Sequence, residues 1–251
     1  MNIMNIMNIM NIMNIIWDYV VFALRRSVLL EYLSPCGEED SLTPMFPTGN
    51  VVDSFDIPGI GKIEMTLINA ANPTLFIHAH ALGLTGNELQ GDVNSDNALL
   101  EKAECIRAFG AVKMGLADTP EQATEKRPHT PKLAFLAKPS AYLSSGGKHI
   151  EPDQIDINAR IFSTGKLHHA ITGTGAIALS VAAALPGTLA EQLVAAHHNA
   201  LLRIGHPSGR VDVGAVVERR EQNWFVSKAI MSRSSRRLME GFVFIPSERE
   251  L

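Results

Sequence analysis

Residues Arg160–Thr188 read RIFSTGKLHHAITGTGAIALSVAAALPGT. A strand-like start at Ile161 and Phe162 passes through a polar turn into Thr172-Gly173-Thr174-Gly175. The run from Ala176 to Leu185 then carries no charge, and Pro186-Gly187 closes it. A helix of Ala, Leu, Ile and Val on every side has no face for water and belongs inside a fold. The Thr-Gly-Thr-Gly turn leaves the first N–H groups of that helix without intrahelical partners. With the positive end of the helix dipole they form a receptor for an anion such as a carboxylate. A buried helix with a glycine entry turn and no ligand fits the same spacing, and the pattern alone leaves both open.

Around this element the chain has an ordinary globular composition, 251 residues with 46% hydrophobic, 19% charged and a net charge of −4. That length supports a sizeable core and one or two domains. The charge gives no footprint for nucleic acid, since the basic cluster Arg233, Arg236, Arg237 is short and set among Met and Leu. Cys36 and Cys105 stand far apart without metal-ligand spacing, which points to a reducing cytoplasm and no disulfide framework. The histidine pairs His168-His169 and His197-His198 form no HxxxH or HExxH pattern, so no metal is expected.

Residues 1–15 repeat MNI five times, a period that matches neither strand nor helix. Through Leu24 the opening is mostly apolar, yet five Asn and one Asp among 24 residues argue against a membrane span. Its charges follow the apolar run, unlike a signal peptide. We read 1–27 as a low-complexity, non-native start, with a membrane tether as the lesser alternative.

From Val28 the alternation changes. Strands are expected at Val28–Tyr32, Val51–Ile57, Gly61–Asn69, Thr74–His78, Leu133–Ala137, Asp156–Phe162, Ala200–Ile204, Arg210–Glu218, Trp224–Ser232 and Gly241–Ile245. Thr85–Leu89 opens a short helix, with Thr85 and Glu88 as a capping box. Asn97–Leu116 is the longest amphipathic helix, with Cys105 packed on or near its apolar stripe, and Leu189–His198 is a shorter one. Many short strands and few helices describe an α+β fold, a curled mixed or antiparallel sheet wrapped around a central buried helix.

Five segments together resemble one family: residues 42–77 (LTPMFPTGNVVDSFDIPGIGKIEMTLINAANPTLFI), 82–89 (LGLTGNEL), 172–188 (TGTGAIALSVAAALPGT), 203–215 (RIGHPSGRVDVGA) and 228–246 (KAIMSRSSRRLMEGFVFIP). They resemble the PrpF-type isomerases, which move a double bond in 2-methylaconitate during propionate breakdown in the 2-methylcitrate cycle. Relatives of that family are tautomerases of 4-oxalomesaconate. The resemblance implies a diaminopimelate epimerase-like fold of two similar domains with a central helix in each and the substrate between them. It divides this chain into the start at 1–27, a remnant of the first domain and linker at 28–50, a complete second domain at 51–240, and a strand at 241–251 returning to the first domain.

In the epimerase pattern a cysteine precedes the Gly-Thr-Gly turn and serves as one of two proton-transfer bases; Thr172 stands there in this chain. A threonine hydroxyl is far too weakly acidic to act alone. What the resemblance still implies is a carboxylate held on the N–H groups of Gly173, Thr174 and Gly175, with Asn72 of the AANP turn and His206 and Ser208 of the GHPSG turn beside it. Arg233 either pairs with a carboxylate or bridges sheet and loop. The family's first-domain cysteine lies in a Cys-Gly-Asn turn, which this sequence lacks; Cys36 instead precedes Glu38, Glu39 and Asp40, which would raise its pKa. Lys166 and His168 are the titratable groups nearest the turn, and no catalytic residue is assigned.

The expected activity is a cofactor-independent isomerase of an unsaturated tricarboxylate, with most of the first domain missing. The alternatives are a 4-oxalomesaconate-type tautomerase and a non-catalytic carboxylate-binding fragment. A small tricarboxylate is the expected partner, and the uncovered face that would meet the first domain predicts pairing into a homodimer.

Overall fold

A computed structural model of the chain describes residues 15–16, 26–37, 44–194, 201–220, 223–235 and 241–242. The MNI repeat through Asn14, the acidic run 38–40, the pair His197-His198, Arg236, Arg237 and the rest of the closing strand fall outside them.

The described strands form one mixed sheet of eleven. In chain order they are β1 (Ile15–Ile16), β2 (Arg26–Leu33), β3 (Asp53–Ile57), β4 (Gly61–Ala70), β5 (Asn72–His78), β6 (Lys132–Ala137), then β9 (Ile157–Ser163), β10 (Lys166–Leu167), β11 (Leu202–His206), β12 (Gly209–Arg220) and β13 (Asn223–Ser235), with a separate hairpin of β7 (Tyr142–Leu143) and β8 (His149–Ile150). The spatial order is β1-β2-β13-β12-β11-β9-β6-β5-β4-β3, with β10 beside β9. Two neighbouring pairs, β5 with β6 and β9 with β11, are parallel, and the sheet is left open at β1 and β3. β2 pairs with β13 along its whole length, so the 28–50 segment contributes a strand to the same sheet.

The helix Gly173–Ala184 lies against the inner face of this sheet, and Gly175 through Ala183 are all buried. Alternation along the strands explains how. On β5 Phe76 faces the central helix while Leu75 and Ile77 face away; on β6 Ala134 and Leu136 face in while Leu133 and Phe135 face out; on β9 Ile157, Ala159 and Ile161 face in. Period-two side chains separate two cores on one sheet. The central helix fills the inner core, and the long helix Asn97–Lys113 covers the outer one. Its Gly110 sits so close to β5 that an added Cβ would lie 2.5 Å from Leu75 Cδ1.

The central helix stops for local reasons. Leu185 is extended, Gly187 turns left-handed at φ +85°, and Thr188 Oγ donates to the Ala182 carbonyl at 2.5 Å. That hydroxyl is a second donor to a last-turn carbonyl that also accepts the Leu185 N–H at 3.1 Å.

Two expectations are corrected. Thr85–Leu89 is not helical. The Glu88 carboxylate does accept the Thr85 N–H, at 2.6 Å, but it also accepts the Thr85 hydroxyl and the Gly86 N–H. Gly86 has turned to φ +95°, so the clamp closes a loop, and the helix starts only at Gln90. Cys105 is exposed rather than packed on the stripe: Ala103, Ile106 and Ala108 carry the buried side. Among the described residues no helix is long and apolar enough to cross a membrane.

Candidate carboxylate-binding site

The N-terminus of the central helix is shaped by Thr172. Its backbone is extended (φ −69°, ψ 148°) and its hydroxyl accepts the Gly175 N–H at 3.2 Å. This is N-capping, which a threonine does well and an alanine cannot. The cap narrows the expected receptor: Gly175 N–H is spent on Thr172, and the Ala176 N–H bonds the Thr172 carbonyl. The N–H groups of Gly173 and Thr174 keep no partner among the described residues. Gly175 serves packing instead, since a Cβ there would lie 2.4 Å from Ile161 Cδ1 on β9 and 2.7 Å from Thr172 Oγ.

Above this open end stands Arg233 of β13, exposed, with its Nη2 2.9 Å from where a Cβ on Gly173 would lie. Among the described residues neither this guanidinium nor the two N–H groups below it has a partner, an arrangement able to take a carboxylate, because the fixed fork of donors and the helix dipole favour the same charge.

The β11–β12 turn is tied to the segment leading into this helix. Ser208 is exposed and its hydroxyl donates to the His169 carbonyl, three residues before Thr172. His206 points inward, 9% exposed, and its Nδ1 accepts the Ser208 N–H at 3.2 Å. Burial first, then Arg160 and His169, lower its pKa to about 4, so the ring is neutral at pH 7 with its proton on Nε2.

The family model whose description reads PrpF protein matches residues 15–246. The chain belongs to the PrpF family. It is 50% identical over 220 residues to a 2-methyl-aconitate isomerase of Shewanella oneidensis, covering 87% of this chain and 55% of that protein. Its identity to a 2-methyl-aconitate isomerase of Cupriavidus necator is 45% over 222 residues, covering 88% of this chain and 56% of the other. The solved structure of a methylitaconate-delta-isomerase superposes with a TM-score of 0.77 at 31% identity, over 91% of this chain and 59% of that one. The chain therefore spans about half the length of the curated relatives it matches.

Within this PrpF chain Arg233 stands beside the helix end at Gly173, and the GHPSG turn is bonded to the loop that leads into the helix. Asn72 is not: it opens β5 half-buried, and its hairpin neighbour Ala71 (φ +58°) donates its N–H to the Pro35 carbonyl. Of the titratable groups near the turn, Lys166 is exposed on β10. The His168 Nδ1 lies 2.8 Å from the Ala170 carbonyl of its own loop, and the ring stacks on His169. Cys36 is packed against the inner core, and burial drives its thiol pKa up to about 12, so it is no thiolate at neutral pH.

The sequence reading missed the support beneath the GHPSG turn. Tyr142 OH lies 2.9 Å from the His206 carbonyl and 2.5 Å from the Gly209 carbonyl, and its single proton is shared between them. Arg160, fully buried in the middle of β9, donates to the carbonyls of Gly205, Glu88 and Ala159 and lies 4.8 Å from the centre of the Tyr142 ring. Burial lowers even its guanidinium pKa to about 10. A lone arginine in an otherwise apolar strand (ARIFS, 159–163) is the signal that was available. Tyr142→Phe removes this buried hydroxyl's hydrogen bond, and urea unfolding is expected to show a loss of about 1 kcal/mol.

Proposed function

We propose that this chain forms the carboxylate-binding part of a PrpF-type isomerase that moves a proton and a double bond in an unsaturated tricarboxylate of the 2-methylaconitate class. One observation carries the reading: the N–H groups of Gly173 and Thr174, and the Arg233 guanidinium above them, have no partner among the described residues. The names of the two methylaconitate isomerases give the substrate class, and no observation favours the 4-oxalomesaconate-type alternative.

The chemistry asked of these residues is electrostatic. Removal of an allylic proton next to a carboxylate spreads charge towards that carboxylate. Donors already aimed there stabilise the enolate-like transition state without reorganising. Among the described residues, the groups near the turn supply this receptor and not a poised base: the Cys36 thiol is held protonated, and His168 is engaged in its own loop. The reading needs no cofactor or metal, since the step is proton transfer. It also carries the expected division, with 51–240 as one epimerase-like domain, a cytoplasmic location, and pairing of two copies through the face that would meet the first domain.

The test is incubation of the purified chain with 2-methylaconitate in heavy water, followed by proton NMR. Broadening or shift of the ligand signals without deuterium uptake is the expected result. Deuterium uptake above background would show that the chain moves the proton by itself and would overturn the assignment to binding alone. Absence of both effects would remove the proposal entirely.

A further inference from the structure

A row of polar side chains crosses three strands on the inner face of the sheet, one pleat along from the row beneath the central helix. The register aligns Phe76 of β5 with Ala134 of β6, and Ala134 with Ile161 of β9. This apolar row lies under the helix, where Ile161 meets Gly175. Two residues along each strand, on the same face by alternation, come Thr74, Lys132 and Ser163. Thr74 is paired with Lys132 in the register, and Lys132 Nζ donates to Ser163 Oγ at 3.0 Å. The Thr74 hydroxyl donates to the carbonyl of Asn72 at 2.9 Å, so Asn72 ends the same shelf.

Lys132 is the anomaly of this row. It is 9% exposed, and its ammonium has one hydroxyl partner and no carboxylate among the described residues. An ammonium has three donors, and burying it without a counter-charge is costly. Nothing in the packing of β6 requires a lysine, whose neighbours Ala134 and Leu136 on that face are apolar. An anion supplied from outside would complete both the charge and the donors.

We propose that Lys132, presented on the Thr74–Ser163 shelf, binds a second carboxylate of the substrate while Gly173, Thr174 and Arg233 hold the first. This rests on the carboxylate-receptor reading above. Lys132 is thereby a specificity-determining residue, selecting acids with more than one carboxylate. Burial lowers the pKa of its amine, with no charged neighbour among the described residues opposing the shift. The preference therefore fades with rising pH before ordinary lysines lose their protons.

The test is a ligand-observed NMR titration of the full chain with trans-aconitate and with crotonate, which keeps the same unsaturated skeleton and only one carboxylate. Lys132→Met is expected to weaken trans-aconitate binding about tenfold or more, the worth of a charge-assisted hydrogen bond, and to leave crotonate unchanged. Lys132→Arg should retain part of the preference. An unchanged ratio of the two affinities in Lys132→Met, or equal weakening of both ligands, would overturn the assignment while leaving the receptor standing. Should Lys132→Met not fold, the wild-type ratio decides: a preference that stays flat with pH until ordinary lysines titrate overturns it. Binding of neither acid by the wild type would sink the receptor reading and this assignment with it.

Discussion

Gly173→Asp is expected to abolish binding of tricarboxylates while leaving the protein as stable as the wild type or slightly more so. The two effects have one cause. A side chain at Gly173 starts 2.9 Å from Arg233 Nη2, so an aspartate there places its own carboxylate where the ligand's would sit. It pairs with the guanidinium, faces the open N–H groups, and lies in the first turn of the helix, where negative charge contributes about 0.5 kcal/mol. The incoming acid then meets a like charge and an occupied receptor, and its affinity should fall by about a hundredfold, or roughly 2.7 kcal/mol. Thermal unfolding and an NMR titration with trans-aconitate separate the two readouts. Lost binding together with a large loss of stability would mean that the site had been unfolded rather than filled. Gly173→Ala is the useful companion, since it adds the crowding without the charge. If alanine weakens binding as much as aspartate does, sterics alone close the site and the anion-receptor argument fails.

The fold was legible because its deciding features are local. An uncharged run between a Thr-Gly-Thr-Gly turn and Pro-Gly can only be a buried helix, and strands alternating between two apolar faces need a layer on each side. The same locality explains the errors. Thr85 and Glu88 have capping spacing and do make the capping contact, yet whether a helix follows depends on Gly86, whose left-handed backbone sends the chain elsewhere. Cys105 was assigned to the stripe by its apolar character, although a helix surface shared with solvent has room for a thiol on either side. The site was half legible. Thr172 and the glycines follow from motif and helix physics. The approach of Arg233 to Gly173 depends on β13 being drawn beside the helix, and the shelf on a three-strand register, neither of which a single strand encodes. Lys132 and Arg160 look like ordinary strand residues until the register puts Lys132 on the inner face and Arg160, opposite Phe135, on the outer one, both of them covered.

Stability should fall steeply between about pH 6.5 and pH 4, and His206 should carry much of that slope. The folded protein holds this imidazole neutral, with a pKa of about 4 against an ordinary value of 6.5, because it is buried and faces Arg160 and His169. A group whose pKa is lower in the folded than in the unfolded state binds protons preferentially in the unfolded chain. Its contribution is therefore whole above the ordinary value and is lost as pH falls towards the folded one. The window is 6.5 to 4, and the full loss is roughly 3 kcal/mol, a ceiling set by about 2.5 pKa units. Glu88 is shifted in the direction that also weakens the protein in acid, but a carboxylate lowered from 4.5 acts from about 4.5 downward and touches only the foot of that window. His78 shares the window, shifted down by partial burial and by His80, and is only half-buried. His206→Asn separates the contributions, since the asparagine oxygen can accept the Ser208 N–H in place of Nδ1 and cannot be protonated in this range. Urea midpoints for the two proteins should converge as the pH drops from 7 to 4, with the variant's profile the flatter. Parallel profiles would show that the ring takes up its proton alike in the folded and unfolded chains, so that neither burial nor Arg160 holds its pKa down.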